Sequence, residues 1–177
     1  GDVGFFSVNL VTHNRNKMSQ PQHVLDFVAT LYPAAKVAAG YSPQIPVAAI
    51  ITHAALETGW GRSARMMDAN NLFGIKPGSG WRGQTVNWPT WEVLNGRRVE
   101  VSAPFRKYDS LTDGLLDYKA LIQRLYKTAL QESDPVAFLT RLVDGSNGRK
   151  WATDPDYVSK VRSVYTRVNA AIEELGI

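Results

Sequence analysis

The sequence predicts an α+β domain that is mainly α, with helices on both sides of one small β insertion. Three observations carry this expectation. Apolar residues recur at the helical period before residue 60 and after residue 110. Between residues 81 and 105 the period drops to two around an Asn-Gly pair. A chain of 177 residues, 44% of them apolar and 20% charged, is also long enough to bury one core of its own.

The first helix is expected to begin at a capping Ser19, with Pro21 close behind and Val24, Phe27, Val28 and Leu31 on its buried face. Pro33 is expected to break or restart it, leaving a short Ala-rich turn to Gly40. Pro46 suits the first turn of a second helix. There Val47, Ile50, Ile51, Ala54, Ala55 and Thr58 form an amphipathic stripe that Gly59 ends. The β insertion follows. Asn95-Gly96 between two alternating runs marks a hairpin, because a type I′ turn needs positive φ at both central residues. A two-residue loop pairs Leu94 with Arg97, Val93 with Arg98, Glu92 with Val99 and Trp91 with Glu100. Glu92 then shares a face with Leu94, Val99 and Val101, and Glu100 points the other way beside Trp91. Helices resume where Ser110 and Asp113 resemble a capping box ahead of Leu111, Leu115, Tyr118, Ile122 and Leu125. Asp134-Pro135 opens a third segment, and Asp154-Pro155 a last one carrying Val158, Val161, Val164, Tyr165, Val168, Ile172 and Leu175. In this layout the hairpin lobe forms one wall of a cleft.

Composition removes several kinds of chemistry. With no cysteine there is no disulfide, thiol nucleophile, Fe–S cluster or thiolate zinc site. His13, His23 and His53 are not spaced as a metal triad, so no cofactor or metal is expected. Apolar runs are too short for a membrane span. The net charge of +4 is too mild to argue for nucleic acid, and the chain is expected to act as a monomer. Residues 1–17 show no signal-peptide pattern and read as a leader, tag or flexible arm before a domain over 18–177.

Carboxylates are left to do the chemistry. Glu57 lies at the edge of the apolar stripe, in the last turn of its helix and beside Trp60. Burial and the negative helix end both push a carboxyl pKa upward, which suits a general acid. The plainer alternative pairs Glu57 with Arg62 or Arg65. His53, one turn earlier, reads as a surface or structural residue within reach of Glu57. Hydrolysis of a glycoside wants a second carboxylate across the scissile bond, and the hairpin offers Glu92 and Glu100. For Glu92 a cross-strand ion pair with Arg97 explains the residue equally well. In the stretch 70–76, Asn71 and Phe73 belong to types that grip sugar hydroxyls and stack on pyranose rings, though such a string is more often a turn packed on a core.

Six motifs occur in order: Ala54-Ala-Leu-Glu-Thr-Gly-Trp-Gly61, Asn71-Leu-Phe-Gly-Ile-Lys76, Trp81-Arg-Gly83, Thr90-Trp-Glu92 before Asn95-Gly96, Phe105-Arg106 with Tyr108 and Ser110, and Ala152-Thr-Asp-Pro-Asp-Tyr157. Together they resemble the mannosyl-glycoprotein endo-β-N-acetylglucosaminidase-like family, the peptidoglycan glucosaminidases of glycoside hydrolase family 73, from about Ser19 to the C-terminus. The resemblance implies a lysozyme-like fold, with a helical lobe and a small β lobe over residues 81–105 flanking a substrate groove. It implies hydrolysis of the β-1,4 bond between N-acetylglucosamine and N-acetylmuramic acid, with Glu57 as general acid and Glu92, rather than Glu100, as the second carboxylate. Trp60, Asn71, Phe73, Tyr108, Trp151 and Tyr157 are the implied sugar contacts. Trp151 stands where the family commonly has Tyr, which removes any chemistry that needs a phenol there.

The implied partner is the glycan strand of peptidoglycan, met in the periplasm or outside the cell. Arg82, Arg97, Arg98, Arg106 and Lys107 around the β lobe suit that anionic polymer. A catalytic domain without wall anchor or export signal is expected as a piece of a larger autolysin or flagellar protein, or as a stand-alone enzyme delivered by a phage or type VI system. In the last case the producing cell holds a periplasmic immunity protein. The rival readings are a lytic transglycosylase and an inactive wall-binding module.

Overall fold

The computed structural model describes residues 19–177, and the expected arm over residues 1–17 lies outside them. The helices are α1 (Gln22–Gly40), α2 (Val47–Thr58), α3 (Ala64–Asp68), α4 (Leu111–Leu125), α5 (Pro135–Arg141) and α6 (Tyr157–Leu175). Strands β1 (Thr85–Leu94) and β2 (Arg97–Arg106) form a two-stranded antiparallel sheet between α3 and α4, and a 3₁₀ turn (Lys127–Gln131) follows α4. The result is the expected mainly helical α+β domain. No helix among the described residues is long and apolar enough to cross a membrane.

Helix α1 departs from expectation at two points. Ser19 does not cap it; its hydroxyl and the Gln20 N–H bind the Glu174 carboxylate at the end of α6 instead. Nor does Pro33 break it. Pro33 and Ala29, whose carbonyl loses its partner, are both on the exposed face, so the lost bond does not leave a buried polar group. Ala34, Ala35, Ala38 and Ala39 meanwhile continue the buried stripe of Val24, Phe27, Val28 and Leu31. At the far end the buried Lys119 ammonium caps the helix by donating to the carbonyls of Ala38, at 2.9 Å, and of Tyr41.

Helix α2 is the centre of the domain and packs against α1, α5 and α6. It was expected to be amphipathic. Instead Ala49, Thr52 and His53 are buried along with Ile50, Ile51, Ala54, Ala55 and Thr58, because neighbouring helices surround it. The main core unites Ala49, Ile50, Ile51, Ala54 and Ala55 with Leu31, Leu115, Ile122, Phe138, Leu142, Val161 and Val168. Ser110 caps α4 by accepting from the Asp113 N–H at 3.1 Å, and Asp134 caps α5 through Ala137 at 2.8 Å. Helix α6 begins two residues beyond the Asp-Pro signal, at Tyr157.

The hairpin adopts the expected register, extended outward to Thr85 opposite Arg106, with Asn95 at φ 51° and Gly96 at φ 73°. Residues 81–84 are not strand; the Trp81 indole N–H closes that loop on the Gln84 carbonyl at 2.9 Å. Pro89 and Pro104 are tolerated because a two-stranded ribbon has only edges. Trp88 stacks on Phe105 at 4.4 Å, and with Ala69, Met66, Val86 and Ala103 they give the lobe a small core of its own. Besides Arg65 of α3, which donates to the Pro89 carbonyl at 3.1 Å, two residues at its base hold this lobe to the rest of the domain. The Asn71 amide N–H groups go to the carbonyls of Ile75 (3.0 Å) and Arg106 (2.8 Å), and its oxygen accepts from Ile75 N–H at 3.0 Å. The Arg106 guanidinium donates to the carbonyls of Lys76 and Pro77 and to Asp117, and lies over the Trp81 ring at 4.6 Å. Helix α4 approaches the Asn70 carbonyl so closely that a Cβ on Gly114 would stand 2.0 Å from it.

Candidate active site

Glu57 sits in the last turn of α2 with its side chain 28% exposed, at an edge of the core. The chain leaves the helix through three consecutive left-handed residues, Gly59 (φ 58°), Trp60 (φ 61°) and Gly61 (φ 78°). Gly61 is required twice, by that φ and by Phe27, which a Cβ would meet at 2.8 Å. The Thr58 hydroxyl holds the turn, donating to the Ala54 carbonyl at 2.7 Å and accepting from the Gly61 N–H at 2.8 Å. Trp60 is thereby kept half-buried beside Glu57 in sequence, edge-on to Phe27 at 6.0 Å.

Three side chains converge on one oxygen of the carboxylate. The Trp151 indole N–H donates to Oε1 at 3.1 Å and the Tyr157 hydroxyl at 3.5 Å, while His53 Nε2 stands 3.5 Å from the same atom. Among the described residues no hydrogen bond reaches Oε2. Burial is the largest single influence on this carboxyl and pushes its pKa up, but His53, Trp151 and Tyr157 together outweigh it. Glu57 therefore lies below the ordinary carboxylate value, the reverse of the direction expected from sequence. Helix end and apolar stripe foretell burial, and His53, one turn earlier, is the first of the opposing influences; Trp151 and Tyr157 come from distant segments and do not show in the local pattern. The alternative pairing with Arg62 or Arg65 does not form: Arg62 binds His23 at 2.6 Å and Arg65 the Pro89 carbonyl at 3.1 Å.

Trp151 faces Glu57 with an indole N–H. It can hold a carboxylate, and it supplies no acid or base of its own. Its ring lies 4.5 Å from His53 and its backbone N–H is fixed by the Leu142 carbonyl at 2.8 Å. His53 is not at the surface but fully buried, with Nδ1 2.7 Å from the Tyr118 hydroxyl. Tyr118 was legible only as a member of the α4 stripe. A tyrosine on a buried stripe needs a partner for its hydroxyl, a signal that calls for a buried polar neighbour without naming His53.

The remaining expected residues separate into two groups. Asn71, Phe73 and Tyr108 are buried. Both amide N–H groups of Asn71 are engaged by backbone, Phe73 stacks on Tyr118 at 3.8 Å, and the Tyr108 hydroxyl donates to Asp117. Their contacts support the frame behind Glu57 and the base of the hairpin. Tyr108 also lines a cavity of about 510 Å³ with Trp81, Lys107 and Asp113, in which Glu57 takes no part. Arg106, counted among the surface charges of the β lobe, is engaged internally with Asp117 at 2.8 Å. Glu92 is exposed on β1 and has neither hydrogen bond nor ion pair among the described residues, so the pairing with Arg97 does not form. Arg98 lies instead over Trp91 at 4.6 Å. Strand alternation puts Glu92 on the face of the hairpin that carries Trp88 and Phe105, about 13 Å further toward the tip than Trp88.

Residues 33–170 match the family model described as mannosyl-glycoprotein endo-beta-N-acetylglucosaminidase. The chain is 38% identical over 148 residues to the peptidoglycan hydrolase FlgJ of Pseudomonas aeruginosa, covering 78% of this chain and 35% of that protein. It is 31% identical over 142 residues to the exo-glucosaminidase LytG of Bacillus subtilis, covering 72% of this chain and 48% of that one. A mutant peptidoglycan hydrolase from Sphingomonas sp. A1 superposes with a TM-score of 0.70 at 34% identity, covering 85% of this chain and 99% of that structure. The chain thus spans about a third of the first of these curated relatives and about half of the second.

Proposed function

Because the chain belongs to the mannosyl-glycoprotein endo-beta-N-acetylglucosaminidase family, we propose that it is a peptidoglycan hydrolase with Glu57 as general acid, cutting the β-1,4 bond between N-acetylglucosamine and N-acetylmuramic acid. The observation that carries the reading is the asymmetry of the Glu57 carboxylate, with Oε1 engaged by Trp151 and Tyr157 and Oε2 without a hydrogen bond among the described residues. Oε2 is then the atom that holds the proton and passes it to the glycosidic oxygen as the sugar develops oxocarbenium character. The carboxylate left behind is stabilised by donors already in place, with no rearrangement at the moment of transfer. Substrate seated over Oε2 removes its remaining water, which favours the protonated acid in the complex.

Glu92 is the proposed second carboxylate, activating water or steadying the transition state from the hairpin side. A carboxyl separation of about 5–5.5 Å in the complex indicates a covalent retaining route and about 6.5–9.5 Å an inverting one. Assistance by the substrate's own 2-acetamido group leaves Glu92 an orienting role. Trp60, Trp151 and Tyr157 are the proposed sugar contacts, and the site of action is the cell wall, in the periplasm or outside the cell. If the domain serves as an antibacterial toxin, its producer needs a protein that covers Glu57, and co-purification from the producing cell tests for it.

The reading stands on Glu57→Gln. With the circular dichroism spectrum unchanged, this variant is expected to lose clearing of purified sacculi by about a thousandfold or more. Retained clearing would remove Glu57 from the mechanism.

A further inference from the structure

His53 is the point at which the site holds more than the proposed reaction uses. Its ring is fully buried between Phe73, Tyr118, Trp151 and Tyr157, with centroids 5.1, 5.4, 4.5 and 6.5 Å away. Nε2 is the one buried side-chain nitrogen without a hydrogen bond among the described residues, and it stands 3.5 Å from Glu57 Oε1.

The neighbouring phenol determines what that nitrogen carries. The Tyr118 hydroxyl is also fully buried, and among the described residues its sole hydrogen-bond partner is His53 Nδ1, at 2.7 Å. A buried O–H left without an acceptor is costly, so the hydroxyl donates to Nδ1. Nδ1 is then bare, and the ring proton resides on Nε2, aimed at Glu57. The opposite tautomer would strand the Tyr118 hydrogen and set a lone pair against a carboxylate oxygen.

We propose that His53, with its tautomer fixed by Tyr118, is a positioning residue that presents a third N–H or O–H donor to Glu57 Oε1 and thereby strengthens Glu57 as a proton donor. This rests on the reading of Glu57 as the general acid. The contact is long in the free enzyme, and an N–H aimed at a carboxylate oxygen favours its charged form at that distance without any rearrangement. The titratable groups facing the ring are Glu57 on its own helix, Tyr118 from α4, Tyr157 from α6 and, beside Tyr118, Tyr126 at the end of α4. Burial raises all three phenols, so Glu57 is the group whose charge changes as the wall is degraded.

The pH dependence of kcat/KM on purified sacculi tests this in four proteins. In Tyr118→Phe/His53→Leu, which leaves no stranded hydroxyl, the loss of the donor moves the basic limb upward by about half a pH unit. His53→Gln keeps an N–H that reaches one helical turn ahead, and it returns the limb toward the wild-type position. Tyr118→Phe alone releases the tautomer and shifts the limb in the same direction by less, which keeps the test open if the double variant fails to fold. A folded variant lacking the His53 donor whose limb stays at the wild-type pH overturns the proposal, as does an unmoved limb in Tyr118→Phe where only that protein folds. Glu57→Gln, the fourth protein, separates the two ideas: if it remains active the general-acid reading fails, whereas an inactive Glu57→Gln beside unshifted limbs defeats His53 alone.

Discussion

Glu57 and Glu92, the two proposed carboxylates, stand in opposite surroundings. Glu57 rises from the most buried helix of the domain, with one oxygen engaged by residues 94 and 100 positions further along the chain. Glu92 projects from a hairpin whose own core is little more than Trp88 on Phe105, and nothing among the described residues holds it. The contrast teaches where accuracy is needed. A proton donor must be aimed and its charge stabilised, and a helix locked on several sides does both. A carboxylate that steadies a transition state or a water gains from a lobe that adjusts to a long polymer, and the hairpin is joined to the helices mainly through Asn71 and Arg106.

The widest gap expected from this contrast is between Glu57→Gln and Glu92→Gln. The first is expected to lose about a thousandfold or more in turnover of sacculi and the second about ten- to a hundredfold. Because Glu92 is exposed and unpartnered, its variant is expected to unfold within about 0.5 kcal/mol of the wild type in urea. An equal loss from both would erase the distinction. Next comes the joint between the lobes. Asn71→Ala strands the Ile75 and Arg106 backbone groups and is expected to cost about 2–4 kcal/mol in a urea titration, with the hairpin amides exchanging first.

Trp151→Phe sharpens the electrostatic half of the comparison. Removing the indole N–H takes a donor from the carboxylate, so the Glu57 pKa rises. A general acid works while protonated, and the basic limb of the pH–activity profile is expected to move upward by about half to one unit. The sign for stability follows from the same group. A carboxyl held below its ordinary value contributes stability above that value and loses it as the pH falls through the depressed one, so Glu57→Gln is expected to flatten the acid side of a stability–pH curve. The smallest effect belongs to the hairpin surface. Arg97→Ala with Arg98→Ala is expected to weaken binding to sacculi a few-fold at low salt and hardly at all at high salt, as measured by co-sedimentation.

What could be read from the sequence follows the range of the forces involved. The hairpin register was legible residue by residue because Asn95-Gly96 is a local device that determines the pairing. Glu57 was legible as a candidate acid because its helix stripe and helix end are local too. The direction of its pKa was not: His53, the largest lowering influence, was in reach by spacing but its burial against Glu57 is set by packing, and Trp151 and Tyr157 arrive from the far end of the chain. Pro33 misled for a similar reason: whether a proline breaks a helix depends on which face meets water, and packing decides that. Asn71 looked like a sugar contact because an amide beside an aromatic residue carries the same pattern whether it grips a hydroxyl or a backbone loop. The Trp at position 151 was visible at once, but only the distance to Oε1 shows that its indole N–H reaches Glu57.

The most direct measurement is mass spectrometry of the fragments released from purified sacculi by the wild type and by Glu57→Gln. Hydrolysis with Glu57 as the acid requires reducing N-acetylglucosamine ends from the wild type and no fragments from the variant. Ends bearing 1,6-anhydro-N-acetylmuramic acid, or the same fragments from Glu57→Gln, would contradict it.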